Sequence, residues 1–366
     1  MKKGDSIFGG IIAGVVMIII GVCILWYNEG RTVKTQKGIN EARDQYVQVK
    51  SDKVDSKNEE KLIATNGKLD LSEASELVDD VFNVKAASAK MVREVEMYQW
   101  EESCHTDDNN NKQCSYKKDW NDRLIDSSDF QKSGHENPTE MPYESKTYLA
   151  NNVKLGAFTL PENLIDDLST KKVKTTNELN EEYANAIEGY QVRGEYVTNQ
   201  SAEGGPEVGN VRIKFKYNDA TSASVLAVQT GNTFSKYVTK YDTKIFRIKE
   251  GTHTGKEIIQ DLVDENNTLK WILRILGTIL VMLGIGSIFS PINKLAGWIP
   301  LVGGAVGLVT GLVSILAGLA VSLVVIAIAW FRFRPLLSIS LLVIVAICII
   351  LLFVLKKKNK NKAEAK

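Results

Sequence analysis

The chain has 366 residues, a net charge of +1 and a mean hydropathy of −0.11, totals that would fit an ordinary soluble protein. The charge is unevenly distributed. Outside residues 28–270 there are 12 basic and two acidic residues, so the flanking parts carry +10 and the central segment about −9. Nucleic-acid binding requires a basic surface, which makes the acidic central segment unsuited to it.

The first apolar segment covers residues 7–27 and follows a short basic N-terminus at 1–6. Its 21 residues suffice to cross a hydrocarbon core of ~30 Å as a helix, and Trp26 and Tyr27 suit the headgroup level. The alternative is a cleaved signal peptide, but no small-residue cleavage site follows the segment. We expect an anchor whose N-terminus is cytoplasmic.

The string Asn28-Glu29-Gly30-Arg31 follows this span directly. An ion pair between Glu29 and Arg31 would fix the point where the chain leaves the membrane. The alternative is two solvated interfacial charges, which contribute little individually. We interpret the string as a membrane-exit motif with a structural role.

Residues 28–270 are predicted to form a large β-rich α+β domain, with either one core or two modules that meet near 160–190. Candidate strands are 46–50, 62–65, 92–100, 211–217, 224–230 and 244–249. The turn dipeptide Asn218-Asp219 predicts that 211–217 and 224–230 form a hairpin. Apolar spacing predicts a helix at 177–188, which Gly189 would end. Thr254 and Glu257 form a candidate capping box for a helix that leads to the next apolar segment.

Cys104 and Cys114 flank a polar stretch between two segments rich in aromatic and β-favouring residues. A hairpin closed by a disulfide is the interpretation we favour, because the compartment outside the cytoplasm is oxidising. Two free thiols are the alternative, and a metal site lacks ligands, with only His105 nearby. Cys23 and Cys348 lie in apolar segments, where we expect them to act as small apolar residues.

Three further apolar segments lie at 271–290, 299–330 and 336–355, and a basic tail covers 356–366. The predicted fold is therefore a multi-pass α-helical membrane protein with four spans, one N-terminal and three C-terminal, around an extracytoplasmic or lumenal β-rich α+β domain. Four crossings place both termini on one side, which the lysines make cytoplasmic. A middle segment that is re-entrant rather than spanning is the alternative.

Glycines recur at a spacing of four in the first and third spans, at Gly10 and Gly14 and at Gly303, Gly307 and Gly311. Small residues at this spacing allow helices to approach closely, within one chain or between copies. The sequence offers no catalytic constellation. The three histidines are scattered, no glycine-rich phosphate loop is present, and no charge lies at the centre of a span. We predict no enzymatic activity, no cofactor, no metal site and no small-molecule substrate.

Several short strings occur in order along the chain, among them 26–31 (WYNEGR), 95–100 (VEMYQW), 137–138 (NP), 206–209 (PEVG), 227–231 (AVQTG) and 334–336 (RPL). Together with the one-plus-three layout of spans, they resemble the transmembrane protein 43 family, from about residue 20 to 345. The cysteine-flanked loop and the lysine-rich tail depart from that pattern.

The resemblance implies a non-enzymatic protein of the endoplasmic reticulum and inner nuclear membrane, with a lumenal domain and a role in nuclear-envelope organisation and scaffolding of membrane proteins. A bacterial relative would lie in the plasma membrane with an external domain. The predicted partners are the lipid bilayer, other membrane proteins and a second copy of the chain. Two other hypotheses remain open: a sensor that relays the state of the domain to the C-terminal helices, and an ion-conducting assembly.

Overall fold

The computed structural model describes the backbone of residues 2–106, 111–175, 178–179, 187–296, 302–336 and 338–339. Side-chain packing is described for the same residues except 2–8, 292–296 and 302–306. The chain divides into two compact units. The first, which we call the membrane unit, comprises Met1–Asp44, Val238–Thr243 and Ile259–Lys366. The second, the β-domain, comprises Gln45–Tyr237 and Lys244–Ile258.

Four α-helices lie within the described residues: α1 (Lys2–Gln45), α2 (Glu162–Asp166), α3 (Gly255–Ala296) and α4 (Val302–Phe333). Three segments of these helices are long and apolar enough to cross a membrane, at Gly9–Gln45, Gly255–Pro291 and Gly307–Phe333. The predicted fourth span at 336–355 lies, apart from its first residues, outside the described part of the chain. Helix α1 continues past residue 27, where the span was predicted to end, and α3 begins well before residue 271.

Glycines bring α1 and α3 of the membrane unit together as an antiparallel pair. A Cβ atom on Gly14 would lie 2.6 Å from the backbone oxygen of Gly284, and one on Gly21 would lie 2.7 Å from that of Gly277. These distances are shorter than real Cβ contacts, so the two backbones approach to a separation that only glycine permits. Close approach through small residues is how membrane helices pack without a hydrophobic drive.

The apolar stretches of α1, α3 and α4 expose large apolar side chains. Ile12 of α1, Ile275 of α3 and Leu308 of α4 are 61%, 58% and 79% exposed, respectively. Exposed side chains of this kind, repeated along each helix, suit contact with lipid tails rather than water. Trp26, Tyr27 and Trp271 are also exposed, near the ends of the apolar stretches where aromatic rings favour the headgroup region.

The β-domain contains eighteen described strands and a 3-10 turn at Ser56–Asn58. The strands of the first half are β1 (Val47–Gln48), β2 (Leu62–Asp70), β3 (Leu77–Val78), β4 (Lys85–Ala86), β5 (Lys90–Thr106), β6 (Lys112–Asn121), β7 (Lys146–Leu149), β8 (Lys154–Leu155) and β9 (Phe158–Thr159). Those of the second half are β10 (Lys172–Val173), β11 (Gln191–Arg193), β12 (Tyr196–Thr198), β13 (Val211–Tyr217), β14 (Ser222–Thr230), β15 (Thr233–Ser235), β16 (Tyr237–Val238), β17 (Lys244–Ile245) and β18 (Arg247–Glu250).

Two seven-stranded sheets form the β-domain. The first has the order β15-β14-β2-β8-β9, with β1 beside β2 and β18 beside β14. The second has the order β11-β12-β13-β5-β6, with β10 beside β13 and β7 beside β5. Pairs β3–β4 and β16–β17 form small separate sheets. Side chains along β5 alternate between buried and more exposed from Lys90 to Trp100, the period-two pattern of a strand with one face on the core.

A single hydrophobic core joins the two sheets. Ile63 and Val225 belong to the first sheet, Val95 and Ile213 to the second, and all four are at most 1% exposed within one cluster. The cluster contains Val95 before residue 160, Leu164 of α2 within 160–190, and Ile213 after residue 190. Residues on both sides of 160–190 therefore contribute to it. The predicted helix at 177–188 lies largely outside the described residues.

The hairpin predicted from Asn218-Asp219 is wrong. Strand β13 pairs with β5, β10 and β12 of the second sheet, whereas β14 pairs with β2, β15 and β18 of the first. The turn therefore carries the chain from one sheet to the other. Turn residues indicate where a strand ends, but they do not specify which partner the next strand finds.

Buried polar groups hold this crossover in place. Asn218 is 5% exposed; its side chain donates to the Ser169 carbonyl and to the Glu250 carboxylate, at 2.8 and 2.7 Å. The same carboxylate accepts from the Ser169 backbone and hydroxyl, and Lys171 lies 3.3 Å away. Burial acts to raise the pKa of Glu250, but the hydrogen bonds from Ser169 and the charge of Lys171 outweigh it and lower that pKa.

The predicted capping box is present at the start of α3. The Thr254 backbone N–H donates to Glu257 Oε2 at 2.7 Å, and the Glu257 N–H donates to Thr254 Oγ1 at 3.3 Å. Two N–H groups that a helix start leaves unpaired are satisfied in this reciprocal way. Helix α3 then continues without a break to Ala296.

Candidate functional site

The predicted membrane-exit motif lies inside α1, and each of its four residues contacts another helix of the membrane unit. Glu29 is fully buried, and the predicted ion pair with Arg31 is not formed. Glu29 Oε1 instead accepts from Arg274 Nε of α3 at 2.6 Å. Its second oxygen accepts from Trp330 Nε1 of α4 at 3.0 Å. The carboxylate thus links three helices through charge-assisted bonds.

The neighbouring residues of the motif extend this network. The Asn28 side chain donates to the Lys270 carbonyl at 2.9 Å, and Arg31 donates to Asn266 Oδ1 at 3.0 Å. A Cβ atom on Gly30 would lie 2.8 Å from the ring of Phe333 on α4, so a larger residue here would require that ring to shift. The motif is a polar clamp between helices, in which most polar groups bond to α3 or α4 while Arg31 Nε is buried without a hydrogen-bond partner.

The predicted packing glycines behave differently from one another. Gly14 faces Gly284, whereas Gly10, Gly307 and Gly311 have no heavy atom of another described segment within 4 Å of a would-be Cβ. Gly303 lies in the part of α4 whose side-chain packing is outside the described residues. The observed contacts use a spacing of seven on both helices, 14 and 21 on α1 and 277 and 284 on α3. The predicted spacing of four therefore does not describe the contact between α1 and α3.

Cys104 and Cys114 form the predicted disulfide, directly opposite each other on β5 and β6. Both sulfur atoms are therefore part of the disulfide and are not available as thiolate ligands. Glu102 lies close to them, but a disulfide with one carboxylate does not provide the ligand set that a metal ion requires. Cys23 is a free, exposed cysteine in the apolar part of α1.

The most buried charges of the β-domain form a structural network rather than a catalytic one. Arg93 and Asp79 are 4% and 1% exposed and pair at 2.8 Å. The Tyr148 hydroxyl lies 2.7 Å from a carboxylate oxygen of Asp79 and 2.7 Å from one of Asp80, and its single proton can be donated to either. Burial, and then the hydrogen bonds to Asp80 and Asp79, raise the pKa of Tyr148, so the phenol stays a protonated donor. The hydrogen bond from Lys146 lowers the pKa of Asp80 to about 2. A base or nucleophile would need shifts in the opposite direction or a group near neutrality.

The outward side of the second sheet carries a concentrated set of aromatic and arginine side chains. We call it the aromatic–arginine face and define it by Tyr98, Trp120, Arg193, Tyr196 and Arg212. Sheet register explains the grouping. Arg193 pairs with Tyr196, Thr198 with Arg212, Arg212 with Glu96, and Tyr98 with Trp120. Their neighbours along each strand, such as Val95 and Ile213, point into the core.

Arg212 occupies the centre of this face between two rings. Its guanidinium carbon lies 4.4 Å from the ring centroid of Trp120 and 4.9 Å from that of Tyr196, and its Nε donates to Glu96 Oε2 at 2.6 Å. Trp120 in turn packs against Tyr98 with a centroid distance of 5.3 Å. Cation–π and ion-pair contacts therefore hold Arg212 in one orientation.

A cavity of about 280 Å³ opens on this face. Its lining residues are Trp120, Arg193, Tyr196, Thr198, Gln200, Pro206 and Arg212. Polar groups come from Thr198 and Gln200, and the aromatic rings come from Trp120 of β6 and Tyr196 of β12. The sequence alone did not predict this site. The residues of the aromatic–arginine face come from five strands, and the signal in the sequence was only the excess of aromatic residues in candidate strand 92–100 and its neighbours.

Known proteins resemble this chain over most of its length. The pattern of the transmembrane protein 43 family matches residues 97–335. Transmembrane protein 43 of Mus musculus and of Homo sapiens are each 28% identical over 355 residues, which cover 92% of this chain and 87% of theirs. The transmembrane protein 43 homolog of Drosophila melanogaster is 24% identical over 344 residues, 90% of each chain. No solved structure matches the chain. The matched region includes most of the β-domain and the parts of α3 and α4 that contact residues 28–31 of α1. The chain belongs to the transmembrane protein 43 family of integral membrane proteins.

Proposed function

We propose that the protein is a non-enzymatic membrane scaffold that binds other proteins through the aromatic–arginine face of its β-domain. The observation that carries the proposal is the stack of Trp120, Arg212 and Tyr196 beside an open cavity. Tyr, Trp and Arg are the residues enriched in protein interfaces and in their energetic hot spots. A rigid stack also lowers the entropy lost when a partner binds.

Proximity labelling from the full-length chain tests this proposal. We expect the wild-type chain to label a reproducible set of proteins and the Trp120→Ala variant to lose part of that set. Val78→Ala serves as the matched control, because it removes an apolar side chain that is 39% exposed on β3, outside the face. Thermal unfolding of each variant separates lost binding from lost folding. A folded Trp120→Ala variant that labels the same proteins as wild type contradicts the proposal.

A second candidate function is a sensor that relays the state of the β-domain to the membrane helices. The observation that favours it is that α3 is one uninterrupted helix from Gly255 to Ala296, opened by a complete capping box. Amide exchange in α4 should then differ between the partner-bound and free chain. Two glycines inserted after Asp264 should remove that difference, and an unchanged difference would count against the sensor.

We further propose that both termini face the cytoplasm and the β-domain faces the opposite, oxidising side. The basic flanks, the acidic central segment and the disulfide support this orientation. In a eukaryotic cell the membrane would be that of the endoplasmic reticulum and inner nuclear envelope, and in a bacterium the plasma membrane. A membrane-impermeant protease added to sealed vesicles of known orientation tests it. Cleavage of the β-domain from the cytoplasmic side would refute it.

A further inference from the structure

We propose that the cavity of the aromatic–arginine face binds an acidic side chain of a partner protein, with a neighbouring apolar residue of that partner against the rings. This inference rests on the proposed scaffold function and names the chemistry of the partner. It assigns the anchoring role to Arg193, with Trp120 and Tyr196 as walls of the cavity.

Arg193 supplies the free positive charge. Its Nη1 donates to the Ser201 carbonyl at 2.7 Å, and within the described residues no carboxylate lies within 4.0 Å of it. The two other cations nearby are neutralised, because Arg212 pairs with Glu96 at 2.6 Å and Lys214 pairs with Glu195 at 3.1 Å. A guanidinium has five N–H donors in a fork that matches a carboxylate, and one of the donors of Arg193 is used.

The charge of the cavity selects a monoanion. One uncompensated guanidinium matches one carboxylate, whereas a phosphate dianion would keep one negative charge uncompensated, because the charge of Arg212 is already paired with Glu96. Sites for phosphate groups in proteins generally converge several cations or backbone N–H donors. An aspartate or glutamate side chain is therefore the better match.

The size and lining of the cavity fit one residue of a peptide better than a drug-sized ligand. Cavities that hold drug-sized ligands measure roughly 300–1,000 Å³, and this one measures about 280 Å³ and opens onto the surface. Pro206 and the two rings provide apolar surface beside the charge. An acidic residue followed by an apolar one would use both.

The backbone holds these groups in place before a partner arrives. Arg193 and Tyr196 lie opposite each other at the end of a hairpin whose turn uses Gly194 with a φ of 59°. Turns with positive φ match the twist of paired strands and join them tightly. The cation and the ring are thus fixed relative to each other, and binding requires little ordering.

Selection of a displayed random dodecapeptide library on the full chain, held in lipid nanodiscs, tests the inference. We expect enrichment of Asp or Glu beside an apolar residue. In a purified peptide from that set, replacing the acidic residue with its amide should weaken binding to wild type by at least about tenfold, the order expected for a charge-assisted hydrogen bond. Arg193→Gln should remove this difference, and Arg193→Lys should retain part of it.

Lys68→Gln is the control, because it removes one exposed cation from β2 of the first sheet and leaves the face intact. Binding by Lys68→Gln should equal that of wild type. Library selection without an acidic preference, no enrichment, or acidic peptides that bind Arg193→Gln as tightly as wild type would each overturn the inference. If labelling depends on Trp120 but no acidic preference emerges, the scaffold stands and this inference fails. If acidic peptides require Arg193 while Trp120→Ala labels the wild-type set, the scaffold proposal fails instead.

Discussion

Removal of the Glu29 charge should strongly destabilise the membrane unit. Glu29 is fully buried and the side chain of its partner Arg274 is 12% exposed, so Glu29→Gln leaves a desolvated guanidinium without a counter-charge. Breaking one side of a buried pair typically costs about 3–5 kcal/mol. Trp330 keeps an acceptor in the amide oxygen of Gln, so the loss should be close to the lower end of that range.

Equilibrium unfolding of the full chain in mixed micelles of mild detergent and SDS, followed by tryptophan fluorescence, measures this loss. Asp44→Asn is the control, because Asp44 is exposed in the last turn of α1 and its change should stay within about 0.5 kcal/mol. The double variant Glu29→Leu with Arg274→Leu should recover most of the stability, with a coupling of about 1–3 kcal/mol. Single variants that each cost less than about 1 kcal/mol, and whose effects add, would refute the role given to the pair.

Three further predictions concern the helix pair, the disulfide and the crossover. Gly21→Ala should destabilise the membrane unit by about 1–3 kcal/mol, because the added methyl group would meet the backbone oxygen of Gly277. Gly10→Ala adds a methyl group in open space and should be neutral or slightly stabilising. Equal effects of the two substitutions would contradict the packing of α1 against α3. Reduction of the Cys104–Cys114 bond should lower the free energy of unfolding by at most about 2–3 kcal/mol. Amide exchange should become faster mainly at the exposed end of the β5–β6 hairpin. Faster exchange throughout the β-domain would be inconsistent with this prediction. The pKa of Glu250 is lower in the folded chain than its value near 4.5 in the unfolded chain, so the ionised carboxylate stabilises the fold at pH values above 4.5. This stabilisation is lost as the pH falls through the folded pKa. Thermal unfolding should therefore show Glu250→Gln less stable than wild type at neutral pH, with a gap that narrows in acid; a constant gap would disprove that origin.

Local chemistry made several features predictable. Hydropathy and length identified the first, second and third membrane helices, because a helix that crosses lipid must be apolar over its whole crossing. Thr254 and Glu257 predicted the start of α3, because a capping box involves only residues that are close in sequence. The Cys104–Cys114 bond was predicted from a short polar loop between two β-favouring segments and from the oxidising compartment, and it is present.

Features that depend on distant partners were not predictable from the sequence. Glu29 pairs with Arg274, which is 245 residues away, rather than with its neighbour Arg31. The turn after Tyr217 was recognised, but the sheet that accepts β14 depends on the packing of the whole core. The aromatic–arginine face similarly requires the register of five strands. The packing role of the glycines at 14 and 21 depends on their contacts with those at 284 and 277, which are distant in the sequence.

Site-specific photocrosslinking tests the central claim most directly, namely that the aromatic–arginine face contacts other proteins. A photoreactive phenylalanine analogue would replace Trp120 in the full chain, and in a second variant it would replace Val78 outside the face. We predict covalent adducts with other proteins from position 120 and none above background from position 78. Adducts that arise equally from both positions, or from position 78 alone, would contradict the assignment of this face as the binding surface.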